Sequence, residues 1–285
     1  VIDRGYAPNT GANMTRAIEN GYVTEFTEGD TCGLFVVRND RMIYSNVKLT
    51  AKKNAVTDEL VWDPISDTTL TAGLGAESYY LYYPYKADLD NTIINEMLKS
   101  EDDFYKPLVE SWQPNEDQST YAAYTASDLM TGTCTPTYEA GSVKLSFAMT
   151  HRMALSVIEM PKTVYKFTDA NVPDYSVLSE TTFTGTARPL CMDDCTFRYL
   201  INPNDKTSPK KIEGNYDNGS KEFAITPSSE VQLYKKYKVD GGVTVKNITY
   251  AESGFVRIGD FYCTKDNGKI GYLIPKEADQ ATVQA

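Results

Sequence analysis

Between residues 143 and 149 every second side chain is apolar: Val143, Leu145, Phe147 and Met149 share one parity, and Lys144, Ser146 and Thr150 take the other. An extended strand with one buried and one wet face turns that spacing into a continuous apolar surface. The segment leads through His151 into Met153-Ala154-Leu155-Ser156-Val157-Ile158. Shorter β-rich runs recur before it, at residues 22–26, 34–37, 43–49 and 60–62, separated by Asn39-Asp40, Lys53-Asn54 and Asp63-Pro64. Others follow Met160-Pro161-Lys162, at 164–167, 181–184, 197–201, 222–225, 231–237 and 243–248. Asp217-Asn218-Gly219, Asp240-Gly241-Gly242 and Asp266-Asn267-Gly268 read as hairpin turns, because Asn-Gly and Asp-Gly supply the positive φ that tight turns need. Many short strands at close spacing predict an all-β chain, an antiparallel sandwich or barrel and not α/β alternation.

The strong alternation ends at Met160-Pro161, which is the expected boundary between two β-sandwiches in tandem, residues 1–161 and 162–285. The first begins with a loose arm over residues 1–20, where Pro8-Asn9-Thr10-Gly11 interrupts any period. It also carries a helical insert at about residues 90–112. There Ile93, Ile94, Met97 and Leu98 recur at helical spacing behind Asp90 or Asn91 as N-cap. Ser100 caps a second turn bearing Phe104, Leu108 and Val109, and Pro107 is expected to limit it. Val1 opens the chain without a signal peptide, and the final residues read as a cut end of a longer chain.

Chemistry is sparsely marked. The balance of 28 basic against 39 acidic residues gives a net charge of −11, which repels nucleic acid and anionic membrane surfaces. No apolar run reaches the ~20 residues of a membrane-spanning helix. Acid–base and nucleophilic enzymes commonly set histidine beside a nucleophile or carboxylate. This chain has one histidine, His151, on the apolar parity of a strand-like segment, and it reads as structural. Cys32, Cys134, Cys191, Cys195 and Cys263 are too few and too scattered for a disulfide scaffold or a zinc site. Cys191 and Cys195 could bridge only across a tight turn at Met192-Asp193-Asp194. No cofactor fingerprint is present, and Asp88-Leu89-Asp90-Asn91 lacks the glycine and distal glutamate of a calcium loop. Asp102-Asp103 and Asp193-Asp194 read as acidic surface or capping. The tyrosine-rich run 79–85, with Tyr79, Leu81, Tyr83 and Tyr85 on one face and Tyr80 and Tyr82 on the other, reads as an inner strand covered on both sides. An exposed aromatic platform is the alternative, and Trp62 and Trp112 share that ambiguity.

Three segments in order give the chain a likeness. Tyr79-Tyr80-Leu81-Tyr82-Tyr83-Pro84-Tyr85 comes first, then Ser127-Asp128-Leu129-Met130, then Val143-Lys144-Leu145-Ser146-Phe147 with His151 and Ala154. With Thr27-Glu28-Gly29-Asp30 before Gly33-Leu34-Phe35-Val36, this order resembles the fimbrillin-like pilin family of Bacteroidales surface fimbriae. The resemblance implies two transthyretin-like Greek-key domains, export as a lipoprotein to the outer-membrane surface, and a non-enzymatic fimbrial subunit or accessory or tip pilin. It implies that a trypsin-like protease removes an N-terminal strand, so that a strand from the next pilin subunit enters the groove by β-augmentation. Arg16 takes the cleavage role, with Arg4 as second candidate, although residues 1–16 make a poor removable strand. Thr68, in Asp67-Thr68-Thr69, resembles the acidic-residue-plus-threonine acceptor for O-glycosylation in this bacterial group. Surface glycans or proteins of host or bacterium are further partners on this reading. A surface glycan-binding lipoprotein using tyrosine platforms is the competing function, with a hydrolase held in reserve.

Overall fold

The computed structural model describes residues 1–3, 7–8, 26–64, 70–71, 77–89, 100–139, 142–167, 174–192, 195–206, 210–228, 233–248, 256–258, 261–266 and 269–275. Strands dominate, as the short β-rich runs predict. The N-terminal residues form β1 (Ile2–Asp3) and β2 (Ala7–Pro8). Then come β3 (Thr31–Arg38), β4 (Arg41–Lys53), β5 (Leu60–Pro64) and β6 (Glu77–Tyr83). Two helices, α1 (Glu101–Ser111) and α2 (Tyr121–Ser127), precede β7 (Met130–Cys134), β8 (Thr137–Glu139), β9 (Ser142–Lys144), β10 (Ala148–His151) and β11 (Ala154–Glu159). The chain continues through β12 (Lys162–Phe167), β13 (Tyr175–Leu178), β14 (Thr181–Phe183), β15 (Leu190–Cys191), β16 (Thr196–Ile201), β17 (Ile212–Tyr216) and β18 (Lys221–Ile225). Last are β19 (Leu233–Lys238), β20 (Val243–Ile248), β21 (Val256–Ile258), β22 (Phe261–Asp266) and β23 (Lys269–Pro275).

A seven-stranded sheet, in order β1-β10-β7-β6-β3-β4-β5, has β6 near its middle. Tyr79 to Tyr83 are all buried there, with Tyr80 and Tyr82 in one core and Tyr79, Leu81 and Tyr83 in another. The tyrosine run is thus an inner strand, and the platform reading fails because its rings face protein on both sides. Tyr85 departs from the expected face. The strand ends at Tyr83, before Pro84, and Tyr85 packs against the Tyr80–Tyr82 core. Gly33 is required opposite β6, since an added Cβ would stand 2.0 Å from Tyr82 Cε1.

Helix α1 roofs one face of this sheet. Ser100 Oγ accepts from Asp103 N at 3.1 Å, the cap that the sequence predicts, and Phe104, Tyr105 and Leu108 turn inward. Phe104 stacks on Tyr80, with ring centroids 3.8 Å apart. Pro107 does not limit the helix as expected: it lies inside α1, where burial of Phe104, Tyr105 and Leu108 outweighs the lost N–H. Residues 90–99, the first half of the expected insert, lie outside the described residues.

The alternating segment is built as two strands, β9 and β10, rather than one. Its parity survives the break: Phe147 and Met149 are buried in the core beneath Tyr79 and Leu81, Leu145 packs against it, and Lys144 and Ser146 are exposed. Beyond it, β11 sits within a five-stranded sheet, β15-β16-β11-β19-β2, and is buried on both faces. Leu155 and Val157 join the helix core, while Ala154 and Ile158 join a further core under β17 and β18. Both neighbours of β11 therefore come from beyond Met160-Pro161, where the domain boundary is expected.

The antiparallel expectation holds for most pairs and fails for four. β11 pairs parallel with β19, and β12 parallel with β20. Asp240-Gly241-Gly242 is consequently not a hairpin. Gly241 (φ 121°) and Gly242 (φ 60°) carry the chain from β19 into β20 alongside Pro161, which an added Cβ at Gly241 would approach within 2.9 Å. Residues 154–167 and 233–248 thus form one parallel ribbon running through two sheets. The other parallel pairs belong to β1 and β2. Asp217-Asn218-Gly219, by contrast, makes the predicted turn, joining β17 to β18 with φ of 56°, 54° and 78°.

Candidate assembly edge and its polar clamp

Two sheet edges are closed by the first residues of the chain. β1 lies parallel to β10, with Ile2 opposite Ala148 and Asp3 opposite Met149. β2 lies parallel to β19, with Ala7 opposite Leu233 and Pro8 opposite Tyr234. Val1 packs against the core that holds Phe147 and Met149. The arm expected to be loose over 1–20 therefore contributes an edge strand to each of the two large sheets. Period-two alternation cannot register in two-residue strands, which is why the sequence gives no sign of them.

Behind the β1 edge, β10 is pinned by a cluster of charged side chains. His151 closes the strand, 2% exposed, and its Nδ1 lies 2.9 Å from Asp128 Oδ1, itself in a residue 3% exposed. Arg152 follows with its side chain 7% exposed. Its Nε donates to Thr131 Oγ1 at 2.6 Å, its two terminal nitrogens donate to Glu101 Oε1 and Asp102 Oδ1 at 2.6 Å each, and its backbone N–H donates to Leu129 O at 2.8 Å. The Thr131 hydroxyl in turn donates to Glu101 Oε1 at 2.7 Å. Glu101 and Asp102 stand in the first turn of α1, where negative charge also suits the helix dipole.

The Ser127-Asp128-Leu129-Met130 segment supplies the rest. Ser127 Oγ accepts from Asn115 N at 3.0 Å and donates to Ala123 O at 2.7 Å, while Ser127 O accepts from Trp112 Nε1 at 3.0 Å. Leu129 and Met130 are fully buried. The motif thus divides its roles: Ser127 ties the neighbouring loop and helix together, Asp128 partners the histidine, and Leu129 and Met130 anchor the core. The parity of His151 marks it as structural, and burial on that parity is what the fold gives. Its partner Asp128 and the carboxylates of α1 stand 23, 51 and 50 positions from their bases, a separation that leaves no local signal.

The His151–Asp128 pair is sealed from solvent within the protein. Among the described residues no group of three or more His, Cys, Asp and Glu side chains is placed to hold a metal ion. Met192 N donates to Thr196 O at 2.8 Å and both Cys191 and Cys195 are free thiols, while Asp193 and Asp194 of the expected turn lie outside the described residues. Cys32 and Cys134 are also free, and burial pushes the Cys134 thiol from 9.0 up to about 11. Trp62 is half-buried against Phe26, with centroids 5.4 Å apart, and Trp112 is buried, so neither is a platform. Arg4, Arg16 and Thr68 lie outside the described residues. No helix among the described residues is long and apolar enough to cross a membrane, which says nothing of strands.

The described chain is built mainly of strands, with two helices, N-terminal edge strands and a buried polar brace. The chain belongs to the fimbrillin-like family, whose profile it matches over residues 15–254. It is 31% identical over 288 residues to a Bacteroides ovatus protein named as fimbrium tip subunit Fim1C, covering 92% of this chain and 48% of that relative. It is also similar to the crystal structure of a fimbrial protein from Bacteroides ovatus, with a TM-score of 0.69 and 27% identity over 97% of this chain and 53% of the other. The chain spans about half the length of both relatives.

Proposed function

We propose that this chain is a non-enzymatic part of a fimbrial subunit, of the tip or accessory kind, that joins its neighbours by strand exchange at the edges filled by β1 and β2. The observation that carries this reading is that one N-terminal arm completes two different sheets through two-residue parallel pairings. So short a ladder is cheap to release, and the strand behind it is braced to stay in place once it is gone. A neighbour's extended segment would regain the same backbone hydrogen bonds over a greater length. The membership of the fimbrillin-like family and the likeness to a protein named as a fimbrium tip subunit support the assignment.

The finer features belong to the same proposal. They are two transthyretin-like Greek-key units divided at residues 161 and 162, display at the bacterial surface as an exported lipoprotein, cleavage at Arg4 or Arg16, and glycosylation at Thr68. Arg4 falls in sequence directly between β1 and β2, so a cut there would separate the two edge strands. Adhesion to surface glycans or proteins is part of the tip reading, while a tyrosine-platform glycan binder loses its basis with Tyr79 to Tyr83 buried. Limited trypsin treatment followed by size-exclusion chromatography and electron microscopy tests assembly. The reading expects cleavage after Arg4 or Arg16, oligomers from the clipped chain, and none from an Arg4→Ala/Arg16→Ala chain treated alike. A clipped chain that stays monomeric refutes strand exchange at this edge.

A further inference from the structure

We propose that the cleft at the end of β16 binds one acidic sugar unit, a hexuronic acid or its like, through the carboxylate and the ring hydroxyls. The cleft measures about 150 Å³ and lies between Gln113-Pro114, residues 199–202 and Pro227. At ~30 Å³ for each water, that is space for roughly five of them. A pocket that encloses a drug-sized ligand needs roughly 300–1,000 Å³, so this one takes a single compact group. The inference rests on the adhesion part of the reading above and narrows it to one site and one class of ligand.

The floor and one wall of the cleft are fixed before any ligand arrives. Asn202, 4% exposed, donates from Nδ2 to Val109 O at 2.7 Å and to Trp112 O at 2.8 Å. Gln118 is buried with its amide laid along β16: Nε2 donates to Leu200 O and Oε1 accepts from Leu200 N, each at 2.9 Å. These bonds tie the segment that carries Gln113 and Pro114 to the end of β16. Little ordering is then left to oppose binding.

The lining specifies the ligand. Pro114, Ile201 and Pro227 are apolar and suit the C–H face of a sugar ring, with a few polar groups to orient it. Lys206 and Lys210 bring two positive charges to the cleft, in a chain whose net charge is −11. Lys210 Nζ meets Glu116 Oε1 at 2.8 Å, which leaves two of its three donors for a ligand. Asp205 lines the same cleft and, when ionised, only accepts. A neutral sugar makes no use of the lysine charges. A bare carboxylate sets itself against Asp205 and has nothing to donate to it. A sugar acid answers both, with its carboxylate on the lysines and its hydroxyls donating to Asp205.

Amide NMR on the intact, unclipped chain tests it, with methyl glucuronide as probe. Methyl glucoside controls for the charge, and N-acetylglycine for a carboxylate without the ring. Saturable shifts at Ile201 and Asn202 with the glucuronide are expected, while Phe35 and Leu81 in the other sheet stay unmoved. Both controls should bind at least about tenfold more weakly. Lys206→Gln/Lys210→Gln should weaken glucuronide binding about tenfold with the Phe35 and Leu81 signals intact, since two partly exposed ion pairs are lost. Lys52→Gln, an equally exposed change elsewhere, should leave binding as it was. The proposal is overturned by an absence of shifts at glucuronide excess, by equal binding of either control, or by binding that the double lysine change leaves unaltered. Because the chain is unclipped, the result is separate from assembly: a chain that forms oligomers after trypsin yet shows no shifts loses this site and keeps strand exchange.

Discussion

Replacing Arg152 by methionine isolates the clamp from its packing, because methionine keeps an unbranched apolar stem while removing the guanidinium. Breaking a buried ion pair from one side costs about 3–5 kcal/mol, since the partner charge is left without compensation. That full range does not apply here. The Asp102 side chain is 82% exposed, so its share is that of a surface pair, at most about 1 kcal/mol. The Glu101 side chain is 21% exposed and keeps the Thr131 hydroxyl as a donor after Arg152 is gone. Thr131 loses a donor to its oxygen, and its site is fully buried. Taken together, these place Arg152→Met at about 3 kcal/mol, the lower end of the buried-pair range. Denaturant unfolding reads the loss, and double-mutant cycles apportion it. The Arg152–Glu101 coupling should be about 2 kcal/mol and the Arg152–Asp102 coupling below about 1 kcal/mol. If Arg152→Met falls within about 0.5 kcal/mol of the parent, as a featureless surface site would, the clamp does not hold β10 in place. A larger coupling to Asp102 than to Glu101 would refute the weighting by exposure.

Other outcomes follow from the same structure. Phe147→Ala, at a site 4% exposed, should destabilise by about 3–5 kcal/mol in the same unfolding assay. Gly33→Ala forces Tyr82 out of its place and should cost about 1–3 kcal/mol, with the near-ultraviolet circular dichroism of the tyrosine core altered. At high pH, burial raises the Tyr82, Tyr83 and Tyr124 phenols far above their ordinary value, and raises Tyr199 from 10.0 to about 12. The unfolded chain then loses these protons first, so the stability they contribute is complete below about pH 10 and drains away as pH rises through 12. Absorbance at the tyrosinate band should show the exposed tyrosines titrating first and the buried set ionising together with loss of structure.

Local features were legible in the sequence and long-range ones were not. The tyrosine strand declares itself by aromatic density, the Asp217-Asn218-Gly219 turn by its residue types, and the start of α1 by Ser100. Each needs only a few neighbouring residues to be determined. Pro107 misleads because a propensity acts over one turn, whereas Phe104, Tyr105 and Leu108 are held by a whole sheet. Asp240-Gly241-Gly242 misleads more deeply. The dihedral angles it supplies suit a hairpin, but the pairing of β19 is decided by β11, some eighty residues earlier. Parallel partners need no shared turn, so nothing local records them. The family resemblance succeeds where periodicity stops, because the Ser127-Asp128-Leu129-Met130 motif and His151 meet only in the folded brace.

The parallel ribbon of residues 154–167 and 233–248 also fixes how this chain answers to mechanical load. Its two strands start from the same end, so a pull on the chain before β11 and on the chain after β20 slides one strand along the other. Every rung from Leu155–Tyr234 to Phe167–Ile248 is then strained at once, across the Pro161 and Gly241 bend and through both sheets. A hairpin in the same place would peel apart rung by rung. Under tension the ribbon yields as a unit or not at all.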